Sequence, residues 1–301
     1  MRSVRRVAQW GKRSSHGSPP HPFPTDAASR MRFGEVLARS VYGTTGFIGA
    51  PGDLELLESR LVLNVPLLRQ FECVVVASNF GPDDTGALAR GNRDLWRRFF
   101  PDCVILDSPA NRGHSIGTAD LDNLLFDHCK AAGHRWLCKS SNDIVLRGRV
   151  LDIPVVPAQF YFINAVSYDA IAQHDFDLDL FAGNFFYPQD TFWVIDVEAT
   201  DQLVDKEFLD RSWRIVTAIP DYNGRIWEHM PHWSCELLLR NTVLRNHLSR
   251  CSLLSERQWL RVLELTVAER ITDCSLKGIE VNGICHSQDL ADPAIPRAVI
   301  A

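Results

Sequence analysis

Short apolar runs and helical patterns alternate along residues 72–146. The apolar runs are CVVVASN at residues 73–79, CVILDSP at residues 103–109, and a third that closes on KSSNDIVL at residues 139–146. Strand and helix in alternation predict parallel strands joined by right-handed crossovers. Because ligands of such sheets bind beyond the carboxyl ends of the strands, the polar residues that end each run predict one crevice as the functional site.

Three helices are predicted around these strands. Leucines recur at helical spacing over residues 54–68 and predict a helix, broken at Pro66, that packs on the sheet before the first strand. Residues 92–99 and 121–132 predict helices between the strands. The predicted fold class is α/β, with a mostly parallel central sheet flanked by helices.

The second half of the chain continues the pattern less regularly. A dense aromatic and β-branched run at residues 185–197 predicts a strand with Pro188 at its start, where a missing N–H does least harm. Residues 227–248 and 256–269 predict helices, and residues 277–286 predict a strand-like tail. No linker interrupts residues 33–301, so we expect a single domain with a first half at about 70–150 and a second half, the acceptor half named below, at about 151–290.

Residues 1–32 differ in composition from the rest of the chain. Arginine, serine and proline dominate the first 30 residues, and Asp26 is their only acid. Such a basic leader is typical of an organellar transit peptide. The alternatives are a disordered extension or a start at Met31, and we expect this leader to be disordered.

The overall composition is that of a globular enzyme. A chain of 301 residues with 46% hydrophobic residues can bury a sizeable core, and a net charge of -5 argues against a nucleic-acid-binding surface. No apolar stretch approaches the roughly 20 residues of a transmembrane span. The 8 cysteines form no CxxC pair, which favours reduced, mostly buried thiols and a cytoplasmic location.

An aspartate follows the third apolar run, at the edge where the crevice is predicted. Carboxylate and phosphate oxygens together form a hard-oxygen site suited to Mg²⁺ or Mn²⁺, which would neutralise a departing diphosphate. Asp143 is therefore a candidate metal ligand, and Ser141 and Asn142 can add oxygen atoms or orient waters. The alternative is that Asp143 caps a turn, as an Asn-Asp pair does without a metal.

The loop before the third helix has the features of an anion site. Gly113 and Gly117 allow a ligand to approach the backbone closely, and the helix that follows offers free N–H groups. His114, Ser115 and Thr118 add further donors.

The order of these motifs resembles that of GT-A fold glycosyltransferases, especially the family 2-like members. The motifs are VVVASN at the end of a strand, Asn111-Arg112-Gly113 in the loop, and KSSND in the place of the metal-binding D-x-D element. The resemblance is good over residues 72–146 and loose over residues 152–286. It implies a Rossmann-like nucleotide-diphospho-sugar transferase fold and a nucleoside-diphosphate sugar as donor.

The resemblance also assigns residues to the donor site. Those residues are Ser78, Asn79, Asn111, Gly113, Lys139, Asn142 and Asp143, with Mn²⁺ or Mg²⁺ held at Asp143. The family element has two acids, whereas this chain has one. Lys139 or a nearby arginine can replace part of the cation by pairing with phosphate oxygens.

An inverting transfer needs a carboxylate that removes the proton of the acceptor hydroxyl. In the family this acid lies after the metal element at the start of a helix, which Glu236 matches, with Glu228 in reserve. The alternative is that Glu236 is a first-turn glutamate that complements the helix dipole after Ser234 as N-cap.

Two further features belong to the acceptor half. Tyr187, Gln189 and Asp190 interrupt an apolar strand with polar groups, and Trp193 offers a ring face to a sugar; a core strand with a bulge explains the same residues. His286 corresponds to the late histidine that is a metal ligand in some enzymes of this fold, and the alternative is a surface or capping histidine.

The function predicted from these residues is transfer of a hexose-like sugar from a nucleoside diphosphate to a hydroxyl acceptor such as a carbohydrate. A nucleotidyltransferase is an alternative, which the acidic GPDDTG segment at residues 81–86 disfavours. A non-catalytic carbohydrate-binding or scaffolding protein on a degenerate transferase fold is the other, and the single acid is its best support.

Overall fold

The structure is a computed structural model that describes residues 31–155, 159–164, 188–220, 222–223, 235–269, 276–287 and 290–300. The expected leader lies outside these residues except for its last two. Tyr187, Glu228 and Ser234 also lie outside them.

The strands and helices are as follows in chain order. The strands are β1 (Met31–Arg32), β2 (Ser40–Gly46), β3 (Cys73–Ser78), β4 (Val104–Asp107), β5 (Trp136–Ser141), β6 (Ile144–Leu146), β7 (Pro154–Val155), β8 (Gln159–Asn164), β9 (Pro188–Asp196), β10 (Ser249–Ser252), β11 (Ile279–Val281), β12 (Ile284–His286) and β13 (Ala298–Ile300). The helices are α1 (Phe33–Val36), α2 (Pro51–Leu68), α3 (Ala87–Phe99), α4 (Ser115–Ala131), α5 (Lys206–Thr217), α6 (Cys235–Arg245) and α7 (Glu256–Glu269), with 3-10 turns at Leu37–Arg39 and Gly148–Asp152.

A seven-stranded sheet forms the centre of the molecule, in the order β10-β8-β9-β5-β2-β3-β4. The neighbours β4, β3, β2 and β5 are mutually parallel, and β10 is parallel to β8. Only β9 runs antiparallel to its neighbours β5 and β8. The predicted α/β fold with a mostly parallel sheet flanked by helices is therefore confirmed.

The middle strand of this parallel group is one that the hydrophobic pattern did not reveal. β2 has the sequence SVYGTTG and lies between β3 and β5, so the run predicted as the first strand is the second. Its serine, threonines and glycines give it few large apolar side chains, although almost every residue in it is buried. Burial on both faces, and not composition, makes it a central strand.

Two helix predictions also need correction. α2 continues to Leu68 with Pro66 inside its last turn, so Pro66 does not break it. The carbonyl that Pro66 leaves without a helical partner belongs to Val62, which is exposed, so water can satisfy it. α5 was not predicted, although Asp205 caps it by accepting a hydrogen bond from the Phe208 backbone N–H at 3.1 Å.

The third predicted apolar run divides into two strands that belong to different sheets. β5 ends at Ser141 in the central sheet, and β6 begins at Ile144 in a four-stranded sheet of order β13-β11-β12-β6. β12 pairs antiparallel with β6 and places His286 opposite Ile144. Asn142 and Asp143 therefore lie at the junction of the two sheets.

Helices cover both faces of the central sheet. On β5, Trp136 and Cys138 face a hydrophobic layer that contains residues of α2 and α3, whereas Leu137 faces a layer that contains residues of α4, α5 and α6. This alternation is the period of two expected of a strand. Six cysteines among the described residues are free thiols, and four of these are buried. In the described part of the chain, no helix has the length and apolar character needed to cross a membrane.

Candidate active site

A cleft of about 360 Å³ opens at the carboxyl ends of the parallel strands. β9 is antiparallel to β5, so its amino-terminal end meets the carboxyl end of β5 at the same edge. Of the residues predicted for the site, the cleft is lined by Asn79, Asn111, Gly113, Asn142, Asp143, Gln189, Asp190, Glu236 and His286. Parallel topology explains why residues so distant in sequence share one cavity.

The first wall of the cleft consists of the N-R-G loop and the start of α4. The Asn111 side chain accepts a hydrogen bond from the Gly113 backbone N–H at 3.1 Å, which closes a tight turn. Gly113 has a φ of 77°, in the left-handed region that favours glycine. The turn aims the amino-terminal end of α4, including Gly117 and Thr118, into the cleft. Free N–H groups and the helix dipole make this wall suited to an anion.

Arg112 adds a cation to this wall. Its guanidinium lies 2.6 Å from Asp210 Oδ1 and 3.5 Å from Asp120 Oδ2. Burial raises the pKa of Asp120 to about 6, although Arg112 partly opposes this effect and Asp210 adds to it. Arg112 is therefore held by α4 and α5 at the edge of the cleft.

The floor of the cleft is a carboxylate–imidazole pair. Asp143 Oδ2 lies 2.8 Å from His286 Nε2, and the His286 side chain is only 4% exposed. The register of β6 and β12 brings these residues together across 143 positions of sequence. The sequence had suggested both as metal ligands, and the fold places them in contact.

A second layer of hydrogen bonds fixes the Asp143 backbone. Ser287 donates to the Asp143 carbonyl from both its N–H and its Oγ, each at 2.8 Å. Arg60 of α2 is buried and donates from Nε to Ser287 Oγ at 2.7 Å. Burial alone would raise the pKa of Asp143, but His286 and Arg60 outweigh it, so the pKa lies below its usual range. Asp143 is therefore an anion at neutral pH.

The pair satisfies a simple test for a divalent cation. Asp143 Oδ1 is buried and has no hydrogen-bond partner among the described residues, so one acceptor is unused. A cation bound to both side chains would replace the 2.8 Å hydrogen bond between Oδ2 and Nε2, because His286 binds a metal only through a deprotonated ring nitrogen. Within the described residues no group of three or more His, Cys, Asp or Glu side chains could hold a metal. A cation here would need water and substrate oxygens to complete its shell, as Mg²⁺ commonly does.

The opposite wall carries two acids and an amide. Gln189 and Asp190 lie at the start of β9, and Thr191 Oγ1 donates to Gln189 Oε1 at 2.9 Å. Glu236 lies in the first turn of α6, where its Oε2 accepts a hydrogen bond from Cys235 Sγ at 3.4 Å. The two acids thus border the cleft from different elements.

Asn79 and Ser78 have structural partners at the end of β3. Asn79 accepts from the Ile48 backbone N–H at 3.2 Å and donates to the Ile48 carbonyl at 3.4 Å, which ties the loop after β2 to the loop after β3. Ser78 is 1% exposed, and its Oγ accepts from the Phe80 backbone N–H at 3.2 Å. Only Asn79 of the two lines the cleft.

Lys139 and Trp193, predicted to bind donor and acceptor, lie beneath the cleft and do not line it. Both side chains are fully buried. Lys139 Nζ lies 3.0 Å from Asp190 Oδ2, and Trp193 Nε1 donates to Asp190 Oδ1 at 3.3 Å. The charge of Lys139 is thus taken up by a carboxylate, which corrects the expectation that it pairs with phosphate oxygens.

The resemblances found among known proteins are distant. No protein-family model and no curated protein matches the chain. It is similar to core-mannan synthase A from Aspergillus fumigatus in its Mn/GDP form, with 8% identity, a TM-score of 0.41 and 79% of each chain covered. It is also similar to a glycosyltransferase involved in glycosylation of the major capsid of PBCV-1, with 7% identity, a TM-score of 0.34, and 73% of this chain and 82% of that chain covered. Both TM-scores are below 0.5.

Several cleft residues were not expected from the sequence. Phe47 and Ser108 line both this cleft and an adjoining hollow of about 390 Å³, and the Phe47 ring is more than half exposed. Arg60, within the predicted helix over residues 54–68, and Ser287, next to His286, hold Asp143 but were not predicted for the site. Recognising β2 would have pointed to Phe47, because that residue follows the strand directly.

Proposed function

We propose that this chain is a glycosyltransferase that moves a hexose-like sugar from a nucleoside diphosphate to a hydroxyl of a carbohydrate acceptor. The observation that carries the proposal is the Asp143–His286 pair, with one unused carboxylate oxygen, in the same cavity as the amino-terminal end of α4. Together they form a site for a cation bound to a diphosphate. Glu236, which lines the same cavity, supplies a base.

The donor would lie along the first wall and the adjoining hollow. The diphosphate is placed at the start of α4, where backbone N–H groups and the helix dipole stabilise negative charge. Asn111 and Gly113 shape that loop, while Asn79 and Asn142 border the passage to it. The exposed Phe47 ring can stack on the nucleobase in the adjoining hollow.

A divalent cation fits between the protein and the donor, with Asp143 and His286 as its protein ligands. Mn²⁺ or Mg²⁺ there would neutralise the charge that develops on the departing diphosphate. Arg60 and Ser287 hold the Asp143 backbone in place. The low pKa of Asp143 keeps this carboxylate ionised at neutral pH.

Glu236 acts on the acceptor in an inverting transfer. Its carboxylate accepts the proton of the acceptor hydroxyl as that oxygen forms a bond to the anomeric carbon from the face opposite the diphosphate. The bond between the anomeric carbon and the diphosphate oxygen breaks, and the nucleoside diphosphate leaves with its electron pair. Gln189 and Asp190, which line the same cavity, would hydrogen-bond the hydroxyls of the acceptor.

Thermal unfolding with nucleoside diphosphates tests this proposal. Melting temperature is measured with ADP, CDP, GDP and UDP, each with Mn²⁺ or with EDTA. A ligand that binds only the folded state raises the melting temperature, and we expect one nucleotide to do so more strongly with Mn²⁺. The absence of a shift with all four would contradict the proposal and favour a non-catalytic carbohydrate-binding protein.

A further inference from the structure

A fully buried lysine lies beneath the opposite wall of the cleft, which contains Gln189, Asp190 and Glu236 and is called the acceptor wall from here on. Lys139 belongs to β5, and its Nζ lies 3.0 Å from Asp190 Oδ2 of β9 and 3.5 Å from Asp122 Oδ1 of α4. Its Nζ also donates to the Asp190 backbone carbonyl. These three ionisable groups therefore connect three elements of the site. They are β5, which leads to Asp143; α4, whose start belongs to the first wall, called the anion wall from here on; and β9, which belongs to the acceptor wall.

The cluster contains one cation and two carboxyl groups. Asp122 and Asp190 both have a carboxylate oxygen within 3.5 Å of Lys139 Nζ, and two carboxyl groups so close together disfavour a second negative charge. Burial raises the pKa of Asp122 well above its usual value, and Asp190 adds to the effect. Burial alone would lower the pKa of Lys139, but the two acids outweigh it and raise it. Lys139 is thus a cation, burial disfavours the charged form of Asp122, and Asp190 is the carboxylate closer to Lys139 Nζ.

Within the part of the chain that the structure describes, Cys235 and Glu236 of α6 also lie at this wall. Burial raises the pKa of the Cys235 thiol well above its usual value, so Cys235 adds no charge. Glu236 lies beside it at the edge of the cleft. Lys139 is the cation paired with Asp190 in this part of the described structure.

Asp190 is the member of the cluster that reaches the cleft. Its side chain is 9% exposed and lines the cavity, whereas that of Asp122 is 1% exposed and does not. Among the described residues, Asp190 Oδ2 pairs with Lys139 and Asp190 Oδ1 accepts from Trp193, and each carboxylate oxygen has a second lone pair. Those lone pairs can accept hydrogen bonds from two hydroxyl groups of a sugar.

We propose that Lys139 is a positioning residue, which holds Asp190 ionised and fixed in the acceptor wall so that Asp190 binds the hydroxyls of a hexose acceptor. The proposal rests on the transferase function proposed above and specifies the acceptor as a free hexose or a hexose end group. It gives Lys139 a role in acceptor binding, with no contact to the substrate.

Four variants test the proposal in the full chain. Asp190→Asn and Asp122→Asn keep the shape of each side chain and remove its carboxylate. Lys139→Met removes the cation, and the double variant Lys139→Met/Asp190→Asn removes a cation and an anion together. Two quantities are measured for each: the melting shift given by the nucleoside diphosphate with Mn²⁺, and the KM for glucose, galactose or mannose with the matching nucleotide hexose as donor.

We expect the acceptor KM to rise about tenfold or more in Asp190→Asn and Lys139→Met, because a hydrogen bond to a charged group is lost. The nucleotide-dependent melting shift should not change in either. Asp122→Asn should keep its KM within about twofold, since Asp122 is buried and does not line the cleft. The double variant should recover the melting temperature that either single change at Lys139 or Asp190 lowers, because neutral replacement of a whole buried ion pair often costs little stability. Its acceptor KM should stay raised.

Three results would overturn the proposal. One is a double variant whose acceptor KM returns to that of the wild type, which would show that the cluster is only structural. Another is an equal rise of KM in Asp122→Asn and Asp190→Asn. The third is a wild-type protein that binds the nucleotide and transfers to none of the three hexoses. A wild-type protein that binds no nucleotide contradicts the transferase function itself, so the two failures are distinguishable. If Lys139→Met does not fold, the comparison of the two asparagine variants still decides.

Discussion

Asp143 and Asp190 lie at the same edge of the sheet but in different surroundings. Asp143 pairs with His286 through Oδ2, while its buried Oδ1 has no partner among the described residues. Asp190 has a partner for each oxygen, Lys139 and Trp193. The first carboxylate is thus incomplete without a ligand, and the second is balanced by the protein. A carboxylate with an unused oxygen suits a charged ligand such as a cation, whereas a carboxylate whose charge is balanced by a lysine suits neutral hydroxyl groups.

The largest effect is expected for Asp143→Ala. Loss of this carboxylate removes the unused oxygen and leaves His286 without its acidic partner. We expect kcat/KM to fall about 1,000-fold or more, a loss of several kcal/mol, because the charge of the departing diphosphate is no longer neutralised. The part of the nucleotide melting shift that depends on Mn²⁺ should disappear. Steady-state kinetics and thermal unfolding measure the two effects.

Asp152→Ala is the matched control, because the Asp152 side chain is 71% exposed and its ion pair with Arg32, at 3.5 Å, lies on the surface. It should behave as the wild type in both measurements. An unchanged Mn²⁺-dependent shift in Asp143→Ala would show that the incomplete carboxylate is not the diphosphate site.

The next effect is expected for Glu236→Gln in the opposite wall. The amide cannot accept the proton of the acceptor hydroxyl, so kcat should fall about 100-fold or more. Nucleotide binding should remain, since Glu236 belongs to the acceptor side. Transfer rates and the nucleotide melting shift separate these two effects.

Glu207→Gln provides the control, because Glu207 is also a first-turn glutamate, in α5, and its side chain is 77% exposed. If both variants lose the same small amount of stability and neither loses turnover, Glu236 serves only the helix dipole.

A smaller effect, on geometry alone, is expected for Gly46→Ala at the end of β2. A Cβ atom at Gly46 would lie 2.4 Å from Asn142 Nδ2 and 2.8 Å from Asn142 Cβ. Asn142 would have to move, and with it the turn that carries Asp143, at a cost of about 1–3 kcal/mol. Chemical denaturation should show this loss of stability, accompanied by a weaker response to Mn²⁺.

Gly52→Ala is the control for Gly46→Ala, because a Cβ atom at Gly52 meets nothing within 4 Å. Gly52 lies in the first turn of α2, where alanine should be neutral or slightly stabilising. A Gly46→Ala protein as stable and as Mn²⁺-responsive as Gly52→Ala would show that the close approach of β2 to Asn142 does not position Asp143.

The sequence indicates Asp143 more directly than it indicates the residues that hold Asp143. Asp143 was identified because it follows a strongly apolar strand, and such strands end at one edge of a parallel sheet. Its partner His286 was proposed only from a family resemblance, because the antiparallel pairing of β6 and β12 leaves no local signal. Arg60 and Ser287 were missed for the same reason. The partners of a site depend on long-range register, which spacing along the chain does not encode.

The buried position of Lys139 also could not be predicted from the sequence. The family resemblance predicted that Lys139 pairs with phosphate oxygens, but β9 lies beside β5 and α4 supplies Asp122 as a partner. A buried ion pair cannot be read from one strand because its counter-charges lie on other elements. β2 was missed because polar residues in a central strand look like a loop until neighbouring strands cover both sides.

The smallest effect concerns Asp120, a third carboxylate, which holds Arg112 at the anion wall and has a pKa raised by burial from 3.8 to about 6. The folded state therefore binds the Asp120 proton more tightly than the unfolded state, so this group lowers stability as pH rises from 3.8 through about 6.

Asp120→Asn removes that cost, and its stability relative to the wild type should grow by about 1 kcal/mol from pH 5 to pH 8. Urea unfolding at both pH values measures the difference, with Asp127→Asn, a half-exposed acid of the same helix, as the control. If the difference in unfolding free energy between Asp120→Asn and the wild type is the same at both pH values, the ion pair with Arg112 offsets the whole cost of burying the Asp120 carboxylate. The anion wall would then contain an ion pair as well balanced as that of Lys139 and Asp190.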